Sequence, residues 1–105
     1  MAELTVAILA VPRLIALDLS IPLHILGRCD GYRVIVCGES MATHPLSAAS
    51  DADIVVVPGY DQPEIPLPAD YLELIRLSAD RGARMVGICT GTLALAAAAS
   101  WTGGT

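Results

Sequence analysis

The stretch Ala83-Arg84-Met85-Val86-Gly87-Ile88-Cys89-Thr90-Gly91 decides how the chain is read. An apolar run, 83–88, ends in a G-x-nucleophile-x-G sequence, and an alanine-rich segment, 93–99, follows it. Strand, sharp turn and helix in that order are the setting in which the pattern has chemical meaning. A nucleophile wedged between strand and helix sits in strained backbone, and small neighbours let the turn close. Gly87 and Gly91 supply that room. Cys89 is then expected to project at the carboxyl edge of a sheet, beside a helix N-terminus whose partial positive charge favours a reactive sulfur. Cysteine is also among the most commonly buried residues, and Cys29 and Cys37 are read as packing.

Working outward, three more apolar runs stand at 4–11, 32–37 and 53–57. Each is near strand length, and unbroken apolar runs suit strands covered on both faces, as in parallel sheets. Between the first two, Leu17, Ile21, Ile25 and Leu26 fall at helical spacing just after Asp18, with Pro22 expected in the first turn. The clearest helix is 70–81, with Leu72, Ile75 and Ala79 on one face, Leu74 widening it, and Glu73, Arg76 and Asp80 outward; Gly82 stops it. A last helix is expected from Thr92 through 99, ending in a turn over 101–105.

Alternating strands and helices argue for right-handed crossovers. The expected fold is α/β: a parallel (flavodoxin-like) sheet with helices on both faces, a partial domain of about four strands and three helices. The segment 38–51 is too short for a full crossover helix, and 58–68 reads as a loop tied down by four prolines.

At 105 residues the chain is one domain at most. With 54% hydrophobic residues it is too apolar for disorder, while its apolar runs are too short for a membrane span. Glu3 and Pro12-Arg13 argue against a secretory signal, so a cytoplasmic protein with no membrane partner is expected. Net charge is −5, and the six basic residues, all arginine, are scattered from Arg13 to Arg84. Such a surface does not match a row of phosphates, so the chain by itself is not expected to bind nucleic acid. Three cysteines without C-x-x-C spacing give neither a disulfide framework nor a zinc site; no metal and no cofactor are expected.

In open parallel sheets, sites form outside the carboxyl ends of strands. Asp18, set among Leu17, Leu19 and Ile21, is either a helix cap or a partly buried acid next to Cys89. Gly59, in Pro58-Gly59-Tyr60-Asp61, is either a plain turn glycine or a point where backbone N–H groups approach a ligand. A cysteine hydrolase also needs a base. His24 should lie about two turns beyond Asp18 as a surface residue, and His44 precedes Pro45 in the shortened loop. Neither is a convincing partner, so the catalytic set is incomplete.

The elbow Gly87-Ile88-Cys89-Thr90-Gly91 and the strand end Val55-Val56-Val57-Pro58-Gly59 resemble the ThiJ/PfpI superfamily, the class I glutamine amidotransferase-like fold. Leu17-Asp18-Leu19-Ser20-Ile21-Pro22, Tyr32-Arg33-Val34-Ile35-Val36-Cys37 and Pro58-Gly59-Tyr60-Asp61-Gln62-Pro63 resemble the amino-terminal domain of GlxA-type AraC-family transcriptional regulators. The resemblance implies Cys89 as the elbow cysteine, Asp18 as its acid partner and Thr90 as a catalytic neighbour. It implies Gly59, Tyr60 and Gly91 as ligand-binding, although Tyr60 departs from the double glycine common in the superfamily.

The implied function is sensing of a small-molecule effector by a homodimer, with DNA reached only through a separate helix-turn-helix domain. The alternative is a cysteine-dependent hydratase or amidase related to isonitrile hydratases. Family members continue past the elbow helix and are longer between the segments matching Cys37 and Asp53. Residues 1–105 are therefore expected to be a partial domain without its carboxyl-terminal part.

Overall fold

The computed structural model describes residues 3–38, 42–62 and 64–99. The elements are β1 (Leu4–Ala10), α1 (Ala16–Leu26), β2 (Tyr32–Gly38), a 3-10 helix (Leu46–Asp51), β3 (Ile54–Val57), α2 (Ala69–Asp80), β4 (Arg84–Gly87) and α3 (Gly91–Ala99). The strands form one parallel sheet in the order β2-β1-β3-β4. From β1 the chain crosses to β2 in one direction, and from β3 to β4 in the other. The order therefore reverses between β1 and β3, where ligands bind in open α/β sheets.

Why the strands read as unbroken apolar runs is now evident. Val6, Ile8, Val36 and Val56 face α1 through Leu19, while Ala7, Leu9, Ile35, Val55 and Val57 face the layer of α2, α3 and the 3-10 helix. Successive side chains alternate between two covered faces, so neither parity can be polar. Asp53 closes the amino end of the sheet, its Oδ2 accepting the Thr5 N–H at 2.8 Å.

The structure corrects the expected helix starts. α1 begins at Ala16 with Ile15 as N-cap and no side-chain cap, so Pro22 lies in the helix interior rather than in the first turn, and Asp18 is not the cap. The cause is tertiary. The β1–α1 loop pairs with the β3–α2 loop through an antiparallel bridge, Leu14 to Tyr60, and Ile15 N–H donates to Gly59 O at 3.0 Å. That pairing starts the helix before a cap residue is reached. Pro22 is buried against the sheet and lacks the N–H that would bond the Asp18 carbonyl.

On α2 the buried face is Tyr71, Leu72, Ile75 and Ser78, whereas Ala79 is exposed. The helix is turned toward Tyr71, whose hydroxyl donates to Ala10 O at 3.1 Å. The short segment before β3 makes its crossover with a 3-10 helix, buried through Ala49. The expected turn over 101–105 lies outside the described residues. Among the described residues no helix is long and apolar enough to cross a membrane.

Candidate functional site

The site is built at the carboxyl edge where the sheet order reverses. Cys89 follows β4 with φ at 51°, a left-handed conformation rare for a side-chain-bearing residue. Backbone bonds fix this turn: Ile88 N–H to Val57 O at 3.0 Å, Gly91 N–H to Ile88 O at 2.8 Å and Thr92 N–H to Cys89 O at 3.2 Å. A Cβ on Gly87 would stand 2.9 Å from the Thr92 backbone, and one on Gly91 would collide with Val57 O. Both glycines are thus required by close packing of helix on strand. Gly91 is buried beneath β3. Cys89 is exposed and carries a free thiol.

Asp18, in the first turn of α1, comes to the same place. A Cβ on Gly59 would run into Asp18 Oδ2 and lie 3.2 Å from Cys89 Cβ. Three residues from three separate segments therefore meet around the Gly59 Cα. Asp18 Oδ2 is buried and has no hydrogen-bond partner among the described residues. The N–H groups of Cys89 and Thr90 also make no hydrogen bond among the described residues, which leaves two donors at the elbow.

Thr90, expected as a catalytic neighbour, and Tyr60, expected as ligand-binding, are bonded to each other. Thr90 Oγ1 accepts the Tyr60 N–H at 2.7 Å and donates to Tyr60 O at 2.9 Å. Tyr60 is 3% exposed and belongs to the core. Burial pushes its phenol above the ordinary range, partly offset by the Arg13 guanidinium. Arg13 is a residue that sequence reasoning passed over. Its Nε donates to Asp61 O and its terminal nitrogen to Ile65 O, both at 3.1 Å, which clamps the loop after β3. An isolated arginine after a proline carries no pattern that would reveal this.

The histidines stay away from the thiol. His24 is exposed on α1, 3.5 Å from an Arg28 nitrogen. His44 lies beside Cys37 on β2, with Nδ1 2.8 Å from Thr43 Oγ1. His44 bridges Cys37 on the side of β2 away from β1, and β2 and β4 are opposite edges of the sheet, so His44 is about 19 Å, four strand spacings, from β4. Cys29, expected to pack, is instead exposed just after α1, whereas Cys37 is fully buried, and burial pushes its thiol up to about 11. No group of three or more potential metal ligands occurs among the described residues.

Fold and site together define a flavodoxin-like α/β domain with a cysteine elbow at its switch point. Among solved structures, the chain is similar to a ThiJ/PfpI family protein from Pseudomonas syringae, with a TM-score of 0.68 and 24% identity over 93% of this chain and 47% of that one. The likeness shows the fold, and the chain spans about half the length of that protein. No family profile and no curated protein matches the chain.

Proposed function

We propose that the chain belongs to the ThiJ/PfpI superfamily and is the small-molecule-sensing and dimerisation part of a GlxA-type AraC-family transcriptional regulator. One observation carries this reading. The site gathers an exposed cysteine, a carboxyl oxygen without a partner and N–H donors without an acceptor, yet no histidine stands beside the cysteine among the described residues. A cysteine nucleophile without an imidazole base is suited to holding a polar ligand rather than turning it over. The exposed apolar residues of α1, with Leu17 at 65% and Ile25 at 55%, support self-association as a homodimer. With net charge −5, DNA contact would fall to a separate helix-turn-helix domain.

The competing reading is a hydratase of the isonitrile type, favoured by the strained Cys89 backbone and the adjacent Asp18. Incubation with cyclohexyl isocyanide, following the corresponding formamide, separates the two. The sensor reading expects no conversion above buffer. Conversion that disappears in Cys89→Ser would replace it with the enzyme.

A further inference from the structure

The hydroxyl of Thr90 is engaged twice, its proton included. A threonine hydroxyl has one proton to give, and here it goes to Tyr60 O at 2.9 Å while the Tyr60 N–H donates back at 2.7 Å. One side chain thus binds both backbone groups of a residue 30 positions away. We propose that Thr90 is a positioning residue, a strap that sets the distance of the Gly59–Tyr60 loop from Cys89 without touching the ligand. The inference rests on reading Asp18, Gly59 and Cys89 as the ligand site.

Two consequences follow from this geometry. Thr90 has no proton left for a ligand, and the Tyr60 N–H, the donor beside Gly59, is turned to the elbow instead. The strap also acts where tolerance is smallest, since Gly59 already has no room for a Cβ between Asp18 and Cys89. From the other side the loop is held by Ile15 N–H to Gly59 O and by Arg13 to Asp61 O and Ile65 O. These ties bind the loop to the β1–α1 segment. Among the described residues, Thr90 is the side chain that binds it to the elbow.

The test uses the full chain, with Thr90→Val removing the hydroxyl at nearly constant shape and Thr90→Ser retaining it. Amide exchange of Tyr60 by NMR reads the strap directly. Protection of at least about 100-fold is expected in the parent, a similar value in Thr90→Ser, and a loss of at least about tenfold in Thr90→Val. Iodoacetamide alkylation of Cys89 at pH 7 reads the consequence. Asp18→Asn should change the rate by the same factor in the parent and in Thr90→Ser, and by less than half that factor in folded Thr90→Val.

An unprotected Tyr60 amide in the parent would overturn the proposal, as would an undiminished Asp18→Asn effect in folded Thr90→Val. If Thr90→Val does not fold, parent protection and its retention in Thr90→Ser decide. An Asp18→Asn change without effect in the parent would refute the site reading instead, leaving Tyr60 exchange to judge the strap.

Discussion

At Cys89, a φ of 51° and the glycine on either side of the turn are one fact seen twice: the backbone bends sharply only because helix and strand can touch. The same chemistry at two glycines has different consequences. Gly91→Ala would set a methyl against the Val57 carbonyl, which is backbone and cannot step aside, so about 1–3 kcal/mol of stability should be lost in urea unfolding. Gly59→Ala would press on the tip of the Asp18 side chain, which can rotate away, and on Cys89 Cβ at 3.2 Å, which must shift slightly. The fold should survive at a cost of about 1–2 kcal/mol, while Asp18 leaves Cys89 and the alkylation rate of that thiol changes. Cys37 gives a pH dependence. Its thiol is held neutral up to about 11 when folded, against 9.0 for the unperturbed group. The unfolded chain therefore loses this proton first, and stability falls as pH rises from about 9 to 11. Replacement by Ala should flatten that part of a stability–pH profile. The elbow was legible because G-x-C-x-G after an apolar run has few other physical readings. Thr90 and Tyr60 were not, because a bond across 30 residues leaves no local trace.

Among the elements, strands were the most legible. Each apolar run matched a strand to within about two residues, since burial on both faces leaves no competing periodicity. Helix starts were less so. Capping rules place a helix start at the first Asp, but α1 starts where Ile15 bonds Gly59 O, a contact invisible in the local sequence. On α2, spacing alone allowed Ala79 into the buried stripe, and packing of Tyr71 put Ser78 there instead. Ser78 Oγ is buried with no hydrogen-bond partner among the described residues. Ser78→Ala should therefore raise stability by about 1 kcal/mol, read as a higher urea midpoint at constant slope.

For the molecule as a whole, strand alternation predicted the parallel sheet, and the structure adds the reversal of order between β1 and β3 that gathers the site. The described sheet ends in β4, and Val86 there is 38% exposed. α1 turns Leu17, Ile21 and Ile25 outward although its other side already packs on the sheet. A helix apolar all round is normally covered on every side. Ile21→Lys should lower the weight-average mass in sedimentation experiments if that face mediates self-association. An unchanged distribution would remove α1 from the interface. The central claim is that Asp18 and Cys89 form one site around Gly59. It is tested most directly by the iodoacetamide alkylation rates of Cys89 and Cys29 at pH 7, with and without Asp18→Asn, resolved by peptide mass spectrometry. Asp18 Oδ2 and the Cys89 side chain meet around Gly59, so Asp18→Asn should change the Cys89 rate by at least about threefold and leave Cys29 unchanged. Equal rates at both cysteines, unaltered by the substitution, would contradict the account.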